Sequence, residues 1–256
     1  MTLEVYDLNF AYGPRPILRK ARFAPLRSGQ LTALIGPNAS GKSTLFRAIA
    51  GLLKAEGTFM LGDTDLATLS PKARLSRVCF MPQFFAANAA LTVFDVVMMA
   101  HKNLRGWRVT SEDTNAVAQA LHDAEIGHLA DAYISELSGG QAQMVSVAQA
   151  LIRNSDVYLF DEPTSALDLN HQLRVLKRIR DAVSERNAVG IVALHDLNLA
   201  ARFADHLILL RQGEVLAEGT PHDILRRPEI AETYGVDIHI TTGPKEDIVV
   251  HAYSHA

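Results

Sequence analysis

Apolar residues fall along this chain in two kinds of run. Short β-rich stretches open it: Leu3 to Phe10, Leu31 to Ile35, Thr58 to Leu61 and Val78 to Met81. Apolar residues at helical spacing then mark Thr44 to Leu53 and, further on, Thr92 to His101, Ser111 to Ile126 and Ser138 to Ile152, the last through Met144, Ala148, Leu151 and Ile152. This helical middle, about residues 84–152, is expected to form a subdomain of its own. Two strands of the buried type follow, Val157 to Phe160 and Gly190 to Leu194, with a helix around Gln172 to Ser184 between them, which is a βαβ unit of a parallel sheet. Gln212 and Gly213 turn the chain between His206 to Leu210 and Glu214 to Ala217, and a second hairpin near Gly243 and Pro244 spans about residues 237–253. No repeat or Pro/Gly/Ser linker divides the 256 residues, so a single α/β unit is expected.

Composition narrows the function classes. With 25 Lys and Arg against 28 Asp and Glu, and no long basic run, nucleic acid is not an expected partner. The single cysteine, Cys79, lies among Val78, Phe80 and Met81 and reads as a buried small hydrophobe, so a disulfide framework is excluded. The start, Met1 to Val5, has no secretory pattern, and no apolar stretch is long enough to span a bilayer. A cytoplasmic chain that can still sit on a membrane protein is expected.

Gly36, Pro37, Asn38, Ala39, Ser40, Gly41, Lys42, Ser43 fits the phosphate-loop pattern G-x-x-x-x-G-K-[ST], between an apolar strand and the helix that begins near Thr44. That context suits the chemistry. Loop N–H groups and the positive end of the helix dipole converge where phosphate oxygens can bind. Lys42 adds a mobile cation for the β- and γ-phosphates, and Ser43 a hydroxyl for Mg²⁺. The expected ligands are therefore ATP and Mg²⁺, with ATP hydrolysed.

The strand Val157 to Phe160 runs into Asp161 and Glu162 at the carboxyl edge of the sheet, where open α/β sheets bind ligands. Asp161 is expected to hold Mg²⁺ and Glu162 to polarise the attacking water. Taken alone, such an acidic pair is more often a solvated loop. The next strand ends at His195, which reaches the same edge and can hydrogen-bond the γ-phosphate or the water. Convergence of Lys42, Asp161, Glu162 and His195 on one edge outweighs each bland reading.

Leu137, Ser138, Gly139, Gly140, Gln141 opens the third helix of the middle region, and Ser138 with Gln141 has the form of a capping box. The bland account is a well-capped helix. Two glycines at a helix start also expose N–H groups to an anion, on a different subdomain from Lys42.

These residues, in this order, resemble the nucleotide-binding subunit of ATP-binding cassette (ABC) transporters over nearly the whole chain. The resemblance rests on Gly36 to Thr44, Gln83 after Met81 and Pro82, Leu137 to Gln141, Asp161 with Glu162, Ser165 to Asp168, and His195. It implies a P-loop NTPase (RecA-like) core with an antiparallel β subdomain and a helical signature subdomain. It places Tyr12 against adenine, where aromatic stacking also makes physical sense. It adds Asp168 to the ATP contacts and Gln83 to the Mg²⁺ and γ-phosphate contacts, with Gln83 linking them to the surface that docks a membrane permease. It also implies a head-to-tail dimer in which each ATP lies between Lys42 of one copy and Ser138 with Gly140 of the other. The implied setting is the cytoplasmic face of the membrane, with a substrate-binding protein as an indirect partner.

Separate chains without spans are typical of importers in this family. Ala73, Arg74, Leu75, then His195 to Ala200, Gly219 to Pro221 and the stretch Ile224 to Val236 look like the iron-siderophore, haem and cobalamin group. Zinc or manganese importers and a soluble ATPase such as an iron-sulfur assembly subunit stay open as alternatives. Ala39 stands where the family usually has Gly, which matters only if that residue needs positive φ. Ala142 and Gln149 also depart from common residues beside the signature. His239, His251 and His255 lack compact ligand spacing, which argues against a metal or haem site.

Overall fold

Every residue of Leu31–Ile35, Val157–Asp161 and Val189–Ala193 is buried, as strands covered on both faces must be. Alternate residues feed two different cores. Ala33, Ile35, Tyr158, Phe160 and Val192 join one cluster, while Leu34, Val157, Leu159, Ile191 and Ala193 join the other. This period of two makes the parallel sheet the middle layer of three.

The computed structural model describes residues 1–83, 90–102, 106, 108–243 and 247–254. In chain order β1 (Thr2–Tyr12), β2 (Arg15–Arg27) and β3 (Leu31–Ile35) lead to α1 (Lys42–Ile49), β4 (Glu56–Leu61), β5 (Thr64–Asp65), α2 (Pro71–Arg77) and β6 (Val78–Met81). Helices α3 (Val93–Lys102), α4 (Ser111–Asp123) and α5 (Gly139–Leu151) come next. Then follow β7 (Val157–Asp161), α6 (Leu169–Glu185), β8 (Val189–Ala193), α7 (Leu197–Phe203), β9 (His206–Arg211) and β10 (Glu214–Gly219). Short helices α8 (Pro221–Ile224) and α9 (Pro228–Tyr234) precede the hairpin β11 (Val236–Thr242) and β12 (Ile248–Ser254). The six-stranded sheet has the order β10-β9-β3-β8-β7-β6, parallel except for β10, and a four-stranded antiparallel sheet has the order β2-β1-β4-β5. The expected P-loop core with an antiparallel sheet and a helical region is the observed fold. Among the described residues no helix is long and apolar enough to cross a membrane.

The structure adds elements the sequence reading did not name, such as α2, α7 and α9, and differs from it at β2, at the end of β1 and at α1. Strand β2 is not evident in the sequence, because Lys20 takes a left-handed φ of 48° and the β1–β2 register shifts repeatedly, which breaks the alternation. Tyr12 is the last residue of β1 rather than beyond it. Helix α1 starts at Lys42 and ends at Ile49, not at Leu53. Its end is fixed from outside: Arg74 donates from Nε to the Ile49 carbonyl (3.0 Å) and from Nη2 to those of Ala48 and Ile49 (2.8 Å each). Gly51 then turns the chain at φ 77° under the same arginine, whose guanidinium stacks 4.9 Å over Phe59. The turn at Gln212 and Gly213 is as expected, both at positive φ. Pro244 lies outside the described residues.

Hydrogen bonds to a charged group contribute about 1.5–3 kcal/mol, and Arg74 satisfies carbonyls that the helix end leaves without partners. Arg74→Ala is expected to destabilise the protein by about 2 kcal/mol, measured as a lower urea midpoint at unchanged slope.

Candidate nucleotide site

Register brings the predicted residues together. Leu34 pairs with Ala193, Ala193 with Asp161, and Phe160 with Met81, so adjacent strands β3, β8, β7 and β6 end level. At or just beyond these ends lie, in the same order, the loop Gly36 to Thr44, His195, Asp161 with Glu162, and Gln83.

The loop is shaped by two glycines. Gly36 has φ 148°, and a Cβ there would meet the Leu210 carbonyl oxygen at 2.1 Å, while Gly41 has φ 110° and precedes α1 without a side-chain cap. The first amides of α1 therefore have no side chain closing them off, which suits an anion. Ala39 does sit at positive φ, 61°, where a side chain costs on the order of 1 kcal/mol relative to glycine. Between them Pro37 is half-buried and Asn38 exposed, and Ser43 and Thr44 sit half-buried in the first turn of α1. Lys42 is buried and folds back to donate from Nζ to the carbonyls of Gly36 (2.8 Å) and Pro37 (3.1 Å). Burial pulls its pKa down, against the opposing charges of Glu162 and Asp161. Ser40 Oγ is buried with no hydrogen-bond partner.

Asp161 is 2% exposed, and its Oδ1 likewise has no hydrogen-bond partner. Burial pushes its carboxyl pKa up and the Glu162 charge adds to this, while Ser43, Lys42 and Arg47 act against them. Glu162, at φ 53°, is held on both carboxylate oxygens: Gln83 Nε2 donates to Oε2 (2.6 Å) and His195 Nε2 lies 2.5 Å from Oε1. Gln83 is thus brought to Glu162. Two orphaned buried oxygens, Ser40 Oγ and Asp161 Oδ1, and a buried lysine on loop carbonyls fit a site for a phosphate chain and a hard cation.

The signature segment forms its capping box as expected, with Ser138 N donating to Gln141 Oε1 (2.9 Å) and Gln141 N to Ser138 Oγ (3.3 Å). Of its glycines, Gly140 is the constrained one, since a Cβ would lie 3.2 Å from the Ala166 carbonyl oxygen, whereas at Gly139 the nearest atom is 3.8 Å away. Ser138, Gly140 and Gln141 line a groove of about 580 Å³ with Asp168 and His171, and no residue of Gly36 to Thr44 lines it. Asp168 caps α6, which therefore starts at Leu169 rather than near Gln172, and its carboxylate accepts from His171 N at 2.9 Å. That bond, together with the His171 ring, holds its pKa down. The structure thus sets Asp168 with the signature. Tyr12, 48% exposed, presents its ring edge-on to Phe10 at 4.8 Å and leaves it open to solvent.

Two partners of the site were not predicted. Gln143 Nε2, on α5, donates to the Glu162 carbonyl (3.1 Å), and the Tyr234 hydroxyl accepts the Gly36 N–H (2.8 Å). Only the position of Gln143 two residues past the signature could have drawn notice. His239 and His251 face each other across β11 and β12, and among the described residues no group of three or more His, Cys, Asp or Glu is placed to hold a metal ion. His255 lies outside the described residues.

A phosphate loop after β3 and an acidic pair at the end of β7, two parallel strands of one sheet with β8 between them, define a P-loop nucleotide hydrolase. Residues 23–165 match the family model described as ABC transporter, and the chain belongs to that family as an ATP-binding cassette ATPase. An uncharacterized ABC transporter ATP-binding protein of Methanocaldococcus jannaschii is 36% identical, over 94% of each chain. A hemin import ATP-binding protein of Thermobifida fusca is 34% identical over 97% of this chain and 87% of its own. A cobalamin import ATP-binding protein of Halobacterium salinarum is 35% identical over 95% of this chain, which spans 61% of that relative's length. Among solved structures, one described as a metal-chelate type ABC transporter in an inward-facing conformation matches at TM-score 0.82 and 27% identity, covering 100% of this chain and 98% of the other. A dimeric ATP-binding cassette bound to ADP and Pi matches at TM-score 0.77 and 27% identity, covering 86% and 98%.

Because the Asp161 pKa is raised in the folded state, its ionised carboxylate opposes folding at neutral pH, and that cost fades as pH falls through the raised pKa. Asp161→Asn should therefore raise the thermal midpoint of the nucleotide-free protein at pH 7 and lose this advantage in acid, as scanning calorimetry across pH would read.

Proposed function

We propose that the chain is the ATP-hydrolysing subunit that powers import of a metal chelate, a ferric siderophore, haem or cobalamin, through a membrane permease. The observation that carries the ATPase chemistry is Glu162 braced between Gln83 and His195 at the edge where the phosphate loop begins. Import is supported by the activities named for the hemin and cobalamin relatives. The whole chain, 1–256, would act as one cassette, with the helical region about 84–152 carrying the signature and the hairpin about 237–253 as an extension.

In this reading the amides of Gly36 to Thr44 bind the phosphates, and Lys42 exchanges the carbonyls of Gly36 and Pro37 for the β- and γ-phosphate oxygens. Tyr12 stacks on adenine. Ser43, Asp161 and Gln83 would hold Mg²⁺, which when bound neutralises charge on those oxygens. Glu162 accepts a proton from the attacking water at its carboxylate, and His195 fixes the orientation of that carboxylate and the γ-phosphate. Since the groove formed by Ser138, Gly140, Gln141 and Asp168 contains none of the phosphate loop, a second copy in head-to-tail contact would place its signature, Gly139 included, on this loop. Dimer closure would then follow nucleotide state and move a permease from the cytoplasmic face of the membrane.

Two substitutions test this site. Glu162→Gln should keep ATP affinity within about twofold while kcat falls about 100-fold or more, and should accumulate an ATP-bound dimer on size exclusion. Ser138→Arg should abolish turnover in the homodimer by setting bulk and charge against the partner's phosphates; full activity would rule out a shared site. Reconstitution with the permease and candidate binding proteins tests the cargo. A loaded siderophore-, haem- or cobalamin-binding protein should raise ATPase activity, whereas stimulation by a zinc- or manganese-loaded one, or co-purification with soluble scaffold proteins alone, would overturn the metal-chelate reading.

A further inference from the structure

Gly36 is buried just past the end of β3, so its N–H needs a partner that the sheet no longer supplies. It finds one 198 residues away, in the hydroxyl of Tyr234 at 2.8 Å. The same residue's carbonyl takes Lys42 Nζ, also at 2.8 Å, and its Cα is wedged against the Leu210 backbone. Gly36 is therefore held on three sides, and two of the three holds differ in kind. Lys42 must leave its carbonyl if it is to meet phosphate. The tyrosine has no such second duty.

Tyr234 is well placed to keep its grip. It ends α9, where Gly235 at φ 65° turns the chain directly into β11. The hairpin is pinned in turn to α7 by a reciprocal pair, Asn198 Nδ2 to the Val250 carbonyl (3.2 Å) and Val250 N to Asn198 Oδ1 (2.7 Å). Helix α7 is the one that follows His195. Burial pushes the Tyr234 pKa up to about 12, so the hydroxyl stays protonated across the working pH range.

We infer that Tyr234 is a positioning residue of the nucleotide site, its hydroxyl fixing the Gly36 amide so that the loop keeps its phosphate-ready shape when Lys42 lets go of the Gly36 carbonyl. The inference rests on the reading of Gly36 to Thr44 as the ATP loop. It makes the segment from α9 to β12 part of the site's framework, acting through Gly36 without touching the nucleotide.

The test uses the full chain and ATP itself. Tyr234→Phe removes only the oxygen and keeps the ring, leaving a buried N–H without a partner. The Kd for ATP should rise about threefold to tenfold at 25 °C, where the variant is still folded, and kcat should change by less. A purely structural role would lower the thermal midpoint and leave Kd where it is, and an unchanged Kd overturns the inference. Amide hydrogen exchange of the nucleotide-free wild type needs no variant: Gly36 should be protected, and exchange as fast as the exposed Asn38 amide overturns the inference as well. If instead the wild type does not bind ATP, or Lys42→Ala binds it equally well, it is the reading of the loop that fails, and the role of Tyr234 falls with it.

Discussion

The parallel register of β3, β8, β7 and β6 is the constraint on which the site depends. Each strand is covered on both faces, so its odd and even residues belong to different cores, and a slip of one residue would exchange them. With register fixed in this way, the strands end level, and the four segments leaving them arrive at one edge without further adjustment. The hydrophobic pattern that stabilises the sheet is therefore the same pattern that assembles the polar groups. Loop chemistry then needs only short reach: Gln83 and His195 lie two residues beyond their strands, and Asp161 ends its own.

Within the chain those groups satisfy one another incompletely. Lys42 binds loop carbonyls, and Glu162 is shared by Gln83 and His195, but Asp161 Oδ1 and Ser40 Oγ are left over in buried positions. Ala39 and Glu162 also sit in left-handed backbone that glycine would adopt more easily. Unmet and strained groups at this edge fit a site that serves binding rather than its own stability. The raised Asp161 pKa and the lowered Lys42 pKa share their largest cause, burial of a charge.

Legibility in the sequence followed locality. Strands β3 and β6 can be read end to end because every signal is internal to them, and the Ser138 to Gln141 cap can be read because its bonds span three residues. Strand β2 is illegible because left-handed Lys20 and repeated register shifts against β1 interrupt the alternation that marks a strand. The end of α1 was misplaced because it is set by Arg74, 25 residues beyond Ile49. The same reason hid Tyr234, whose bond to Gly36 no spacing rule could anticipate.

The two halves of the proposed site are separate in one chain, yet they are not independent. Gln143 lies in α5 just past the signature and donates to the carbonyl of Glu162, which Ser165 also engages through its N–H (3.3 Å) and hydroxyl (3.2 Å). Glu162 is therefore fixed by its side chain to the ends of β6 and β8 and by its backbone to the signature helix. Any displacement of α5 relative to the sheet must break the Gln143 bond or carry the Glu162 peptide with it, and that peptide is already in left-handed backbone. Contact made at Ser138 and Gly140 thus has a short covalent and hydrogen-bonded route to the carboxylate proposed to act on water. Under the proposed head-to-tail pairing, this route would let the arrival of a second copy be felt at Glu162.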